Sequence, residues 1–286
     1  MKAKTICGFK VTVERQRVWQ IELEMLKLVD KICQKHNLHY SLVGGSLLGA
    51  VRHKGFIPWD DDIDLAMKRK DYEKFLKIAQ KELPKKYFVQ YCETEPLYDR
   101  GHAQIRNSET TAIINTDIVN SEAYNKGIWI DIFPLDAIPD NPLLRRIFVR
   151  RAITKKVLLR GPTTSRPKLA YQKIFGKQRL INRFHKFVQK YNGKKTKQCG
   201  ALEFRPNEFK YDSAWFDSYV ELPFENMKAK ALAGYKELLE RQYGDYMTIP
   251  KNKNGTVHGG AFFDTEKSYK EYEAQRIEIC KKLDKE

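Results

Sequence analysis

Residues 41–71 read SLVGGSLLGAVRHKGFIPWDDDIDLAMKRKD, and the architecture of the chain turns on this stretch. It opens with a short apolar strand, Tyr40 to Val43, running into the small-residue turn Gly44-Gly45-Ser46. Such a turn lets backbone N–H groups approach a phosphate without obstruction from side chains. A helix-like segment (Leu47 to Arg52) and a basic trio (Arg52, His53, Lys54) lead to Trp59 and then Asp60-Asp61-Asp62-Ile63-Asp64. Alternate side chains of an extended segment share a face. That predicts Asp60, Asp62 and Asp64 on one side, with Asp61, Ile63 and Leu65 on the other. Ile63, Leu65 and Met67 suit a strand packed into a core, so the carboxylates stand at its rim. Crowded carboxylates repel one another unless a cation sits among them. Hard oxygen donors with room for waters and phosphate oxygens suit Mg²⁺, with Mn²⁺ as a substitute. A charge run is by default a solvated turn, but the Gly-Gly-Ser turn upstream and the apolar alternation downstream weigh against that reading.

A Gly-Gly-Ser turn followed by Asp-x-Asp on a strand resembles the layout of the polymerase-β-type nucleotidyltransferases. The longer blocks GGSLLGAVRHKGFIPWDDDIDLAMKRKDY, GIWIDIFPLD (127–136), FDSYVELPFENM and YGDYMTIP resemble the LicD family, over about residues 15–260. That family includes bacterial phosphorylcholine transferases and fukutin-like ribitol-phosphate transferases. The resemblance implies an α+β fold, a nucleotidyltransferase-like mixed sheet flanked by helices, with a basic helical insertion. It implies that Gly44, Gly45 and Ser46 hold a diphosphate, and that Asp62 and Asp64, with Asp60 or Asp131, bind the metal. Asp131 sits inside the apolar run Ile128–Phe133, where a lone carboxylate is costly to bury unless something charged meets it. The family layout makes it the third catalytic carboxylate beside Asp62 and Asp64, and Asp131 or a second metal the base for the acceptor hydroxyl. Arg52 and Lys54 are expected to offset phosphate charge. Arg106, alternating with His102 and Gln104, is placed to fork onto a nucleotide phosphate.

The implied reaction moves a phosphorylated small alcohol from a cytidine diphosphate carrier to a sugar hydroxyl. For the bacterial members this is phosphocholine, from CDP-choline to a lipid-linked glycan acceptor: a teichoic acid, lipopolysaccharide or capsule precursor. Glycerol phosphate or ribitol phosphate from another CDP-alcohol is the alternative, as is a nucleotidyltransferase acting on RNA or a small molecule. A choline site calls for an aromatic cage, for which Trp59, Trp129, Trp215, Phe216 and Tyr219 are candidates.

Composition bounds the rest. The chain has 286 residues, 42% hydrophobic, with 15 Phe and 15 Tyr, enough for a sizeable folded core. No window approaches the length of an apolar transmembrane helix, and the N-terminus lacks the apolar run of a secretory signal. The five cysteines show no Cys-x-x-Cys spacing, which fits a reducing cytoplasm. The net charge of +17 is local: residues 141–200 carry 18 Lys or Arg and no Asp or Glu, leaving 35 basic residues elsewhere against 36 acidic ones.

Three divisions follow: a catalytic core over 1–140, the basic helical segment 141–200, and a C-terminal part over 201–286 completing the catalytic domain. Glu14 to Cys33 has a helical period and packs across the back of the sheet. Arg69 to Leu83 is a second amphipathic helix. Strands are expected at Tyr87–Tyr91, His102–Arg106, Thr110–Ile114 and Gly127–Phe133, and Asp136, after Pro134, reads as turn chemistry. In the basic segment two helices flank a GPTTSRPK loop. Apolar faces with cationic flanks suit an anionic membrane surface, placing the enzyme at the inner face of the membrane; the plain alternative is that those faces are core. Nucleic acid is not expected as a partner. A hairpin, a helix from about Ala231 to Tyr243 and a Lys-rich tail with His258 complete the chain. Glu221 reads either as an acceptor contact or as a strand-edge salt bridge.

Overall fold

A computed structural model describes residues 1–118, 124–159, 166–202, 210–251 and 261–283. The part of the GPTTSRPK loop at 161–165 and His258 lie outside the described residues.

A small hairpin, β1 (Lys4–Ile6) and β2 (Phe9–Val11), leads into α1 (Val13–His36). Thr12 caps this helix by accepting from the Arg15 N–H, and Asn37 closes it in the left-handed conformation. Next come β3 (Ser41–Leu42), α2 (Gly44–Arg52) and β4 (Asp64–Lys68). The helix begins at Gly44 itself, at φ +56°, so the Gly-Gly-Ser turn is its first turn. Residues 60–63 are not in a strand. Helix α3 (Arg69–Glu82), β5 (Tyr87–Gln90), β6 (Ala103–Asn107) and β7 (Thr111–Ile114) follow.

The central strand is β8 (Ile128–Ile138), longer than its sequence suggests because it continues through Pro134 and Asp136. It runs parallel to β4, with Asp64 opposite Asp131 and Lys68 opposite Leu135. On its other side β6 pairs antiparallel with residues 128–132, and β9 (Gln198–Gly200) with residues 136–138. Pro134, which has no N–H to give, falls between those two ladders, where its cost to the sheet is lowest. Strand β10 (Lys210–Asp212) extends the sheet beyond β9, and β5 extends it beyond β6. The mixed sheet flanked by helices is the expected α+β architecture.

Among the described residues the basic segment forms three helices rather than two: α4 (Pro142–Leu159), α5 (Arg166–Phe175) and α6 (Lys177–Val188). Phe148, Val149, Ala152, Leu180, Ile181 and Phe184 join Ile138 and Leu202 in a core of their own. Leu143, Leu144, Ile147, Leu169, Ile174 and Phe175 stay exposed. The apolar faces are thus divided, part core and part surface.

The C-terminal part adds the hairpin β11 (Tyr219–Phe224) and β12 (Met227–Leu232), α7 (Tyr235–Tyr243), β13 (Ala261–Asp264) against β7, and α8 (Arg276–Leu283). Its residues Phe216, Phe224, Leu232 and Leu238 lie in the same core as Val18, Leu42 and Ile130. Helix α7 starts later than the sequence suggests because β12 takes Ala231 and Leu232. Among the described residues no helix is long and apolar enough to cross a membrane.

Candidate active site

The parallel register of β4 and β8 creates the site. Adjacent strands lie about 4.8 Å apart, so pairing Asp64 with Asp131 brings two like charges together. Asp62, just before β4, completes a group in which one carboxylate oxygen from each residue lies within 4.8 Å of the others. Asp60, Asp61 and Asp62 form a second such group. Strict alternation therefore fails at Asp61: residues 60–63 lie outside the strand, and Asp61 joins its neighbours.

The first turn of α2 closes on these carboxylates. A side-chain carbon on Gly45 would meet Asp60 Oδ2 at 2.3 Å, and one on Gly44 would meet Asp64 Oδ2 at 3.0 Å. Only glycine leaves room for that approach. Ser46 Oγ accepts from the Asp64 N–H at 2.8 Å, so the hydroxyl locks helix to strand. The early N–H groups of a helix have no intrahelical partners, and in α2 they belong to the turn that lies against Asp60 and Asp64.

The electrostatics divide the carboxylates. Burial first, then Asp64, Asp61 and Asp131, pushes Asp62 well above the ordinary carboxylate range. Burial and then Asp131 and Asp60 do the same to Asp64. For Asp131 burial also acts upward, but the His102 imidazole, Arg100 and Gln104 override it and hold the carboxyl well below its usual range. His102 Nε2 stands 3.0 Å from Asp131 Oδ1. Gln104 Nε2 donates to Oδ1 at 2.7 Å, and Trp129 Nε1 donates to Oδ2 at 3.1 Å. Two buried carboxylates and the half-buried Asp64, presenting hard oxygens beside a glycine cradle, fit a divalent cation such as Mg²⁺.

The other expected site residues are placed differently. Arg106 is buried, its guanidinium donating to Gln90, Gly127 and Gln104, so it steadies Gln104 against Asp131 instead of facing an open phosphate site. Arg52 donates to the Tyr246 and Thr248 carbonyls and to His53, and lies over Trp59. Lys54 is exposed and turns back onto the Val51 carbonyl. Trp129 carries Arg106 on its ring and Trp215 carries Arg241, while Phe216 and Tyr219 pack edge to face. Each ring named for a choline cage thus packs against another side chain.

Sequence reasoning missed the part played by α1. Arg15 Nη1 and Trp19 Nε1 both donate to the Asp60 carbonyl, at 2.7 and 3.1 Å. Glu22, buried beside them, is pushed well up by burial and then by Asp62, Asp61 and Asp60. The helix therefore anchors the acidic loop as well as packing on the sheet. The one signal was a Glu among the apolar positions of an amphipathic helix. Asp136 is a correction of another kind. It is not turn chemistry but a strand residue, 1% exposed, bound by Arg69 Nε and Nη2 at 2.8 and 2.6 Å. Glu221 is the strand-edge salt bridge, 2.7 Å from Lys230.

Residues 37–153, which hold all the clustered carboxylates, match the family described as LicD/FKTN/FKRP, nucleotidyltransferase domain. The lipopolysaccharide cholinephosphotransferase LicD of Haemophilus influenzae is 29% identical over 269 residues, 87% of this chain and 96% of that protein. Both likenesses point to the LicD family. Shorter matches reach two uncharacterized proteins. One from Rickettsia prowazekii is 28% identical over 39% of this chain and 44% of its own length. One from Rickettsia typhi is 40% identical over 19% and 18%. The matched stretch contains the two parts that the resemblance implies, a helix-starting glycine pair and an acidic group at the adjoining strands.

Proposed function

We propose that this protein is a LicD-type transferase, moving phosphocholine from CDP-choline to a sugar hydroxyl of a lipid-linked, cell-surface glycan precursor. The observation that carries the mechanism is the convergence of Asp62, Asp64 and Asp131 within 4.8 Å beneath the start of α2. Phosphocholine itself is supported by the similarity to the Haemophilus lipopolysaccharide cholinephosphotransferase.

Asp62, Asp64 and Asp131 would hold Mg²⁺, which supplies charge neutralisation for a diphosphate and its leaving group. The Gly44, Gly45 and Ser46 N–H groups receive phosphate oxygens at the positive end of α2. The acceptor hydroxyl gives its proton to solvent as its oxygen forms the bond to phosphorus, in line with the departing CMP oxygen, which leaves with the bonding electron pair. Asp131, held in its charged form by His102 and Gln104, suits ion binding better than proton abstraction, since a depressed pKa makes a weak base. The exposed apolar residues of α4 and α5, among 18 cations in 141–200, support attachment to an anionic membrane face. There each cation near the surface contributes about 1 kcal/mol.

The test is product formation with Mg²⁺ and a membrane glycolipid fraction from CDP-choline, CDP-glycerol, CDP-ribitol and CTP, with Asp62→Asn/Asp64→Asn as control. CMP release from CDP-choline alone, lost in the control, is the expected result. Release from CDP-glycerol or CDP-ribitol instead would retain the mechanism and replace the alcohol. Pyrophosphate release from CTP, with CDP-alcohols untouched, would overturn the reading.

A further inference from the structure

At the opposite end of β4 and β8 from the carboxylates lies a cavity of about 1090 Å³, walled by α3, the 189–197 segment, β9 and the residues after β10. The strand residues from Asp64 to Lys68 span about 13 Å at roughly 3.3 Å per residue, so the cavity and the acidic group are separate places. Its walls carry eight cationic and four acidic side chains. The acids are largely engaged: Asp217 pairs with Lys68 at 2.9 Å, Asp140 accepts from the Lys197 N–H, and Asp212 accepts from the Ala214 N–H. Arg69 is spent on Asp136, and Lys74 donates to the His36 carbonyl. Lys70, Lys77, Lys195 and Lys197 have no carboxylate within salt-bridge distance among the described residues.

The wall that carries two of these lysines is fixed from behind. Asn192 Nδ2 donates to Asp136 at 2.7 Å, and Asn192 Oδ1 accepts from the Ala137 N–H at 2.8 Å. The 194–197 lysines are thereby tied to the buried Arg69–Asp136 pair and stand across the cavity from the lysines of α3. Between the cations the lining offers Leu135, Ala137 and Ala214, and the hydroxyls of Thr196 and Ser213. Opposed cations around a floor of small apolar groups and hydroxyls suit a ligand with both phosphate and sugar hydroxyl groups. An isolated phosphate would leave most of this volume empty.

We infer that this cavity is a second binding site, one that takes a phosphorylated saccharide: the phosphate-bearing part of the acceptor, held about 13 Å from where its hydroxyl reacts. The role as acceptor site rests on the proposed transfer reaction; the binding of a sugar phosphate does not. An acceptor gripped this far away contributes binding energy that orients its reacting end.

The experiment is calorimetric titration of the full chain with glucose 1,6-bisphosphate, without donor, beside sedimentation with phosphatidylglycerol vesicles. Lys70→Glu/Lys195→Glu is expected to weaken bisphosphate binding at least tenfold. The milder Lys70→Gln/Lys195→Gln should fall between it and the unmodified chain, separating lost charge from lost fold. Asp62→Asn/Asp64→Asn is expected to bind the bisphosphate as the unmodified chain does, because its site lies elsewhere. In transfer assays the lysine reversals are expected to raise the acceptor KM and leave the donor KM unchanged. No bisphosphate binding, or binding indifferent to both lysine reversals, would overturn the inference. So would reversals that release only the vesicles, which would make the cavity a lipid headgroup site. If no CDP-alcohol is consumed but the lysine-dependent binding is seen, the proposed reaction fails and the saccharide site stands.

Discussion

The two ends of one strand pair treat buried charge in opposite ways. At the start of β4 and β8, Asp64 and Asp131 face each other with Asp62 alongside, and no lysine or arginine forms an ion pair with Asp64 among the described residues. At the far end Asp136 is buried more deeply, yet a guanidinium grips both of its oxygens and Asn192 takes one of them again. A buried carboxylate in a finished ion pair is structural. A buried group of carboxylates that raise one another's proton affinity is costly to the fold alone, and such a site is made whole by a ligand.

The largest effect should come from removing the uncompensated end. Asp62→Asn/Asp64→Asn is expected to lower transfer by at least about 10²–10³-fold, the scale seen when one group stabilising transition-state charge is lost. The fold should be no less stable in the absence of metal, because like charges have been removed. CMP release and a thermal melt check both halves. A variant that unfolded would show that the acidic group is structural after all.

The compensated end should respond in reverse. Asp136→Ala leaves Arg69 charged and buried, and breaking one side of a buried pair costs about 3–5 kcal/mol. Arg69→Met/Asp136→Leu removes both charges and is expected to recover most of that loss, since apolar replacements of buried pairs are often neutral. Urea unfolding of the two variants decides it.

These two ends were unequally legible in the sequence. The acidic group announces itself because Gly44, Gly45, Asp60, Asp62 and Asp64 lie within one short stretch, and Asp131 is conspicuous as a lone charge in an apolar run. The pairing of Asp136 with Arg69 bridges 67 positions and exists only through the parallel register of β4 with β8. Periodicity cannot supply that register. Alternation correctly set His102, Gln104 and Arg106 on one face. It could not tell that Arg106 spends its donors on neighbours, because that depends on Gln90 from β5 and Gly127 before β8. Alternation also misplaced Asp61, for it holds only while the backbone stays extended.

Proton linkage sharpens the contrast further. Asp62 and Asp64 have folded pKa values above their unfolded ones, so the folded state holds more protons. Without metal, their effect on stability is least unfavourable below the ordinary carboxylate pKa of about 3.9 and worsens as pH rises through the raised folded values. Asp131 runs the other way: its depressed value contributes stability above that range, lost as pH falls. Mg²⁺ that binds only the folded chain should restore stability at neutral pH, by about 2.7 kcal/mol at a hundred times its Kd. Melting curves from pH 5 to 8, with EDTA or Mg²⁺, should show the gain growing with pH in the unmodified chain and absent from Asp62→Asn/Asp64→Asn.

The smallest effect belongs to a carboxylate of a third kind. Glu221 lies on the hairpin in one of the sequence blocks shared with the LicD family, and it pairs with Lys230 at 2.7 Å on the exposed strand edge. Water already solvates both partners, so neither the uncompensated cost of Asp64 nor the buried grip on Asp136 applies. Its neighbour Glu225 does more for the site: its Oε1 accepts from the Phe56 N–H at 3.1 Å, and its own N–H donates to the Lys54 carbonyl. That double contact holds the turn between α2 and the acidic loop. Glu221→Gln should therefore leave melting temperature and transfer unchanged, whereas Glu225→Gln should weaken transfer modestly by loosening the approach to Asp60. A loss of acceptor turnover in Glu221→Gln would return the hairpin edge to the acceptor path and weaken the case for the lysine-lined cavity.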